Sequence, residues 1–155
     1  MKARGTSGLE DACYLTVRQV KQRVGHILRG CWATSRRTYA GFSDNRFYLP
    51  SRTEIEDLLR ARSLRSAAAQ DESFDCDDYA FVFKGLAALK GRRMSHVTSS
   101  MCVGIAWGYF NWVPDVFHAV NWALLEGSVF VWVEPQDGSI HPVEHNQGGL
   151  SLLIA

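Results

Sequence analysis

The feature that most constrains the fold is a change of hydrophobic pattern near residue 100 of this 155-residue chain. Before that point, apolar residues recur near helical spacing. After it, short runs rich in β-branched and aromatic residues alternate with turn signals, and they cover residues 101–110, 116–125, 129–133 and 140–143. Helices first and strands second predict an α+β domain, in which an antiparallel meander packs on a central helix.

The helical part of the pattern divides into segments. We expect an amphipathic helix over residues 12–29 and an ordered, aromatic-bearing loop over residues 33–50. Two overlapping capping boxes predict that a second helix follows Pro50. They pair Ser51 with Glu54 and Thr53 with Glu56.

A third helix is expected to begin at Asp75 and to end at Gly91. The side chain of Asp75 can cap it, and two more carboxylates follow in the first turn, where they are favoured. Nearly every position from Tyr79 to Leu89 is apolar. The third helix is therefore predicted to be central and buried on most sides.

Composition limits the classes of protein that the chain can belong to. With 46% hydrophobic residues it can bury a core, and we expect one domain over residues 1–155, with residues 1–11 flexible. The first half is basic and the second acidic, so the net charge is only +1 and the halves attract each other. The arginines accompany no nucleic-acid-binding motif, and no apolar run is long enough to span a membrane. No export signal is visible, so we expect reduced cysteines and a cytoplasmic protein.

Cys76 is the candidate nucleophile. It lies in the first turn predicted for the third helix, where unpaired backbone N–H groups favour the reactive thiolate. Three flanking carboxylates make this a polar position, which argues against a buried structural cysteine. The remaining cysteines occupy apolar or amphipathic contexts and are expected to be structural; they are Cys13, Cys31 and Cys102.

His118 and Glu134 are the candidate base and the candidate orienting acid. A nucleophile needs a base, and the base needs a group that orients it. His118 begins a short strand within the meander, whereas the other four histidines lie in the first helix, a loop or the C-terminal tail. Glu134 ends the next strand, so a hairpin can bring it to His118. The order of thiol, imidazole and carboxylate predicts a thiol hydrolase that acts on a peptide or amide substrate.

The carboxylates beside Cys76 oppose thiolate formation, because like charges disfavour each other. A bound cation would remove this difficulty, and a dense set of hard oxygen ligands suits Ca²⁺ better than Zn²⁺. We therefore expect a Ca²⁺ site formed by Asp75, Asp77 and Asp78. The alternative is that Asp75 caps the helix while the other two interact with its dipole.

An oxyanion formed at this site would need hydrogen-bond donors. The backbone amide of Cys76 is one candidate. Gln70 is the other, because its position six residues before Cys76 is similar to the spacing of glutamine and cysteine in papain-like proteases.

Three blocks of sequence together resemble one family. They are residues 74–80, residues 118–121 and Glu134-Pro135-Gln136. They are similar to the C-terminal domain of the Marasmius oreades mushroom agglutinin and of its bacterial and phage relatives, and the resemblance covers residues 46–143. The first helix has no counterpart, and no β-trefoil sugar-binding domain is present, so lectin activity is not carried over.

The resemblance implies a papain-like, calcium-dependent cysteine protease that forms a homodimer. It implies Cys76 as nucleophile, His118 as base and Glu134 as orienting acid. It also implies Ca²⁺ ligands among Asp77 and Asp78.

A second hypothesis is a catalytically silent binding or scaffold module with the same fold. Its working surface would be an aromatic-rich segment that could form an exposed anchor. The aromatic residues in question are Trp107, Tyr109, Phe110 and Trp112.

Overall fold

A computed structural model describes residues 13–31, 39–65, 74–145 and 149–155 of the chain. Within these ranges the helices are α1 (Val17–Cys31), α2 (Arg52–Leu59), α3 (Arg62–Arg65) and α4 (Cys76–Arg93). The first strands are β1 (Tyr14–Thr16), β2 (Tyr39–Gly41), β3 (Arg46–Tyr48) and β4 (Ser100–Met101). The later strands are β5 (Val103–Phe110), β6 (Val113–Leu124), β7 (Phe130–Glu134), β8 (Ser139–Pro142) and β9 (Leu150–Ile154).

The strands form two sheets. The smaller sheet has the order β1-β3-β4, and the larger has the order β2-β9-β5-β6-β7-β8. Strands β5 to β8 make the antiparallel meander that the sequence predicts. Strand β9 was not predicted; it lies between β5, to which it is antiparallel, and β2, to which it is parallel. The expected combination of helices with an antiparallel meander is thus found in a mixed α/β fold.

Alternation along the strands places the larger sheet between two layers of helix. Trp122 of β6 and Trp132 of β7 pack in the same cluster as Val20 and Val24 of α1. The neighbouring side chains on these strands point the other way, into a second cluster with residues of α2, α3 and α4. Because successive side chains of a strand face opposite sides of a sheet, each face of the sheet is buried against a different helical layer.

Helix α4 differs from its prediction. Its buried residues include Tyr79, Phe83, Ala87 and Gly91, which recur every four residues and form one stripe. Phe81 and Leu89 are about half exposed, although both belong to the apolar run. The prediction that this helix is buried on most sides is therefore wrong, because only one stripe of α4 faces the sheet.

Other boundaries are corrected by pairing between strands. The first helix begins at Val17 rather than at residue 12, because Leu15 lies in β1, which pairs with β3. The loop expected over residues 33–50 contains β2 and β3. The flexible end predicted for residues 1–11 lies outside the described residues.

Helix caps and turns were predicted more reliably than the boundaries of helices and strands. Ser51 Oγ accepts the backbone N–H of Glu54, and the Glu54 carboxylate accepts the backbone N–H of Ser51 across 2.7 Å. This is the first of the two predicted capping boxes. The pairs Glu126-Gly127 and Asp137-Gly138 are turn signals between predicted strands, and both glycines have positive φ. None of the described helices is long and apolar enough to cross a membrane.

Candidate functional site

Helix α4 begins at Cys76, directly after its N-cap Asp75. The Asp75 carboxylate accepts the backbone N–H of Asp77, and the Asp78 carboxylate accepts the backbone N–H of Asp75, each across 3.3 Å. This reciprocal capping box fixes the first turn of the helix. Cys76 is thereby held at the N-terminus, where the backbone dipoles favour a negative charge.

His118 and Glu134 meet on neighbouring strands. His118 Nε2 lies 2.7 Å from Glu134 Oε2, and both side chains are buried. The antiparallel register of β6 and β7 explains their meeting, because Asn121 opposite Val133 places Glu134, at the end of β7, close to His118 in the middle of β6. A hairpin therefore brings the imidazole to the carboxylate, although the two residues are 16 positions apart along the chain.

Cys76 lies beside His118. Its side chain is one of the groups that raise the pKa of the His118 imidazole. Since Nε2 of the imidazole faces Glu134, Nδ1 is the ring nitrogen left for the thiol. The backbone N–H of Ala119 also donates to Cys76 Sγ across 3.4 Å. The structure thus brings together the three residues to which the sequence assigns the roles of nucleophile, base and orienting acid.

The surroundings of His118 favour its charged form. Burial lowers the pKa of the imidazole, but hydrogen bonds to Cys76 and Glu134, together with their negative charges, raise it to about 9. The opposing contributions are those expected of a buried histidine between two acids. The charged imidazolium is therefore the favoured form of His118 in the folded chain.

The other described thiols lie in less favourable surroundings. Burial raises the pKa of Cys102 to about 12. Burial and the carboxylate of Glu126, to which its thiol donates a hydrogen bond, raise the pKa of Cys13. The side chain of Cys31 lies outside the described part of the structure. Of the three described thiols, Cys76 alone accepts the backbone N–H of a residue next to a histidine, that of Ala119.

Two of the acidic residues lie close enough to Cys76 to be candidate ligands for a cation. One ligand atom each from Asp75, Cys76 and Asp77 lies within 4.8 Å of the others. The two carboxylates suit Ca²⁺, whereas sulfur is a soft ligand that Ca²⁺ does not prefer. Asp78 stands apart from this group, because its carboxylate caps the backbone N–H of Asp75. A hydrogen bond with Asp75, burial and the charges of Asp75 and Asp78 raise the pKa of Asp77, so a cation would relieve repulsion here.

The predicted oxyanion donor Gln70 lies outside the described residues. The backbone amide of Cys76 is at the helix N-terminus, as the sequence indicated.

Trp112 is a site residue that the sequence did not identify. Its Nε1–H donates to Glu134 Oε2 across 3.3 Å. The sequence pattern places Trp112 only in the aromatic segment that could form an exposed anchor. Within that segment Phe110 is buried and Tyr109 is 47% exposed, so the segment is not one continuous surface.

Residues 47–140 match the family model described as Agglutinin C-terminal. The chain belongs to this agglutinin C-terminal family. The match confirms the resemblance to mushroom agglutinins, although it does not establish a papain-like protease. No curated protein matches the chain.

Two solved structures are similar to this agglutinin C-terminal domain. One is described as "PSL1a-E64 complex", with 25% identity, a TM-score of 0.75, and coverage of 92% of this chain and 51% of that one. The other is a Polyporus squamosus lectin bound to the human-type influenza-binding epitope Neu5Aca2-6Galb1-4GlcNAc. It shows 25% identity and a TM-score of 0.69, with coverage of 92% of this chain and 50% of that one. The chain therefore spans about half the length of each.

These similarities correct one prediction. The matched family is described as an agglutinin, and the second structure as a lectin bound to a glycan. The hydrolase and thiol-protease class predicted from the sequence is therefore replaced by an agglutinin class.

Proposed function

We propose that this agglutinin C-terminal domain is a binding module whose ligand site is centred on Cys76. In this proposal Cys76 is a nucleophilic thiol that forms a covalent bond with an electrophilic carbon of a peptide-like or amide-like ligand. The observation that carries the proposal is that His118 contacts the Glu134 carboxylate while the N–H of the next residue, Ala119, donates to the Cys76 thiol.

The three side chains have distinct roles in the proposed reaction. The thiol proton moves to His118 Nδ1, which leaves a thiolate beside an imidazolium. Glu134 orients the ring and stabilises its positive charge. The backbone N–H of Ala119 and the N-terminus of α4 stabilise the thiolate. The new bond joins Sγ to the electrophilic carbon, and the proton on the imidazolium is available for the oxygen that gains the negative charge.

An epoxide is a suitable probe for this step. E64, present in the complex with PSL1a, is an epoxide that reacts with thiolates. Attack by Sγ would form a carbon–sulfur bond and break one carbon–oxygen bond of the epoxide. The released alkoxide would take the proton from His118, so the adduct retains every atom of both partners.

The proposal also includes a papain-like topology and a calcium ion bound beside Cys76. Asp75 and Asp77 would supply oxygen ligands to the ion, which takes about six to eight in all. Bound there, Ca²⁺ would supply positive charge to offset the carboxylates beside Cys76. Calcium binding, a homodimer and a cytoplasmic location stay predictions.

Selective labelling tests the proposed function. The intact protein is treated with E64 or iodoacetamide, and the modified thiols are quantified over time by peptide mass spectrometry. We expect Cys76 to react fastest, and we expect Cys76→Ser to abolish E64 incorporation while Cys13→Ser does not.

Two results would contradict the proposal. One is a labelling rate for Cys76 no higher than that of Cys13 or Cys102. The other is repeated turnover of a fluorogenic peptide library, because a binding module forms an adduct or a complex and does not release product in many cycles.

Glycan binding is a second candidate, favoured by an exposed aromatic pair. The rings of Tyr109 and Phe117 lie 5.5 Å apart, and both side chains are nearly half exposed. Exposed apolar surface of this kind often marks a binding site. Titration with the epitope bound by the Polyporus squamosus lectin tests this candidate, and Tyr109→Ala should weaken any binding. Glycan binding would be rejected if the titration releases no heat and shifts no resonances of the protein.

A further inference from the structure

We infer that Trp112 is a positioning residue for the Cys76 site, because its indole N–H fixes the carboxylate that orients His118. This inference rests on the proposed function and deepens it. Trp112 lies in the two-residue turn between β5 and β6, where Phe110 pairs with Val113. From this turn its Nε1 reaches Glu134 Oε2, at the end of β7, across 3.3 Å.

The Glu134 carboxylate is held through both of its oxygens. Oε2 accepts the Trp112 indole N–H as well as the hydrogen bond from His118 Nε2 at 2.7 Å. Oε1 accepts the backbone N–H of Gln136 across 3.2 Å. Because the carboxylate is buried, a lost donor is not readily replaced by water. Removing the indole N–H therefore leaves the oxygen that faces His118 with one protein donor fewer.

The Trp112 ring is itself held in place. It stacks on the His141 imidazole, with ring centroids 4.0 Å apart and an interplanar angle of 8°. His141 Nε2 lies 2.6 Å from Ser139 Oγ, so the stacked imidazole is anchored on β8. Trp112 also contacts Phe110, at 4.9 Å between centroids. The side chain is thus fixed by the β5–β6 hairpin and by β8 together.

Tryptophan is suited to this position because it combines a large stacking ring with an N–H donor and has no acceptor. Phenylalanine would keep a stacking ring and lose the donor. Trp112→Phe therefore separates the hydrogen bond to Glu134 from the packing against His141 and Phe110.

The test compares Trp112→Phe with a control variant in the full chain. Trp112→Phe should shift the ¹H and ¹⁵N resonances of the His118 ring and slow iodoacetamide labelling of Cys76 by roughly tenfold, the size expected for one hydrogen bond to a charged group. Tyr14→Phe is the matched control, because it also keeps an aromatic ring and removes one donor, the hydroxyl that donates to the backbone carbonyl of His96 across 2.7 Å. It should leave the His118 resonances unchanged.

A reciprocal measurement covers the case in which Trp112→Phe does not fold. In Glu134→Gln, the indole N–H resonance of Trp112 should move upfield, because the charged acceptor is gone. Unchanged His118 resonances in Trp112→Phe, or an unmoved indole resonance in Glu134→Gln, would overturn the inference. Slow labelling of Cys76 in the wild-type protein would instead overturn the proposed function, while the resonances still decide the role of Trp112.

Discussion

At the scale of single residues, His118 links protonation to stability. Its pKa is about 9 in the folded chain, against an ordinary value of 6.5. A raised pKa means that the folded state binds the proton more tightly than the unfolded state does. The resulting stabilisation is fully present below pH 6.5 and is lost as the pH rises through about 9.

We therefore predict that the free energy of unfolding falls between pH 6.5 and pH 9, by on the order of 3 kcal/mol. Urea denaturation at a series of pH values measures this change. His118→Gln should flatten the dependence, because the variant has no imidazole to titrate. An equal slope in the wild type and in His118→Gln would show that another group is responsible.

The residues of the candidate site differed in how far the sequence could predict them. Cys76 is marked by a local feature, the start of a helix, and Glu134 by a carboxylate at the end of an apolar strand. Trp112 carries no such mark. Its contact with Glu134 depends on a tight hairpin and on a partner 22 residues away, and these are properties of the folded sheet.

At the scale of elements, Gly104 allows β5 to approach the neighbouring strands closely. A Cβ atom at this position would lie 2.0 Å from the carbonyl oxygen of Ile154 and 2.3 Å from Trp122 Nε1. These two groups are hydrogen-bonded to each other across 3.2 Å. Position 104 therefore has no space for a side chain.

Gly104→Ala should lower the free energy of unfolding by about 3 kcal/mol or more, because backbone must shift to accept the methyl group. Chemical denaturation measures the loss. Gly85→Ala is the control, since a Cβ atom there meets nothing within 4 Å and alanine favours a helix by about 1 kcal/mol. Equal stability of the two variants would contradict the prediction.

The first turn of α4 provides a separate prediction about calcium. If Ca²⁺ binds at Asp75 and Asp77, it should raise the free energy of unfolding by about 2.7 kcal/mol at a concentration one hundred times its Kd. Asp77→Asn should remove this gain and should stabilise the chain when calcium is absent, because it relieves repulsion with Asp75 and Asp78. Asp57→Asn is the control on the exposed surface of α2.

Thermal unfolding with Ca²⁺, with Mg²⁺ and with a chelator would measure these effects. If Ca²⁺ still raises the free energy of unfolding of Asp77→Asn, the cation binds elsewhere.

Elements set by local chemistry were predicted well. The Ser51–Glu54 capping box, the Asp75 cap and the two turn glycines each depend on a few neighbouring residues. Strands β2 and β9 were missed, because a parallel pair so far apart in sequence leaves no local signal. The burial of α4 was overestimated, because an apolar run does not reveal which of its residues face the sheet.

At the scale of the whole molecule, the fold extends beyond the family match. The match ends at residue 140, yet β9 lies inside the larger sheet, where Ile105 to Gly108 of β5 pair with it. Leu153 of β9 is buried in the main cluster. Strand β9 is therefore part of the core.

Deletion of residues 149–155 should abolish cooperative unfolding, because it exposes an edge of β5 and opens the core. Circular dichroism and size-exclusion chromatography would detect the loss. Leu153→Ala should give a partial effect of about 2–5 kcal/mol, whereas exposed Ser151 should tolerate alanine. A deletion variant that unfolds cooperatively at the wild-type temperature would exclude this role for β9.

The position of β9 also sets an order of events during translation. A ribosome has already synthesised Cys76, His118 and Glu134 before it reaches residue 150. Until residues 150–154 emerge from the exit tunnel, β5 has no partner on that side, and Trp122 Nε1 has no carbonyl of Ile154 to bond. The sheet that aligns His118 with Glu134 is therefore complete only after β9 has emerged, so a nascent chain would carry Cys76 before this sheet has formed.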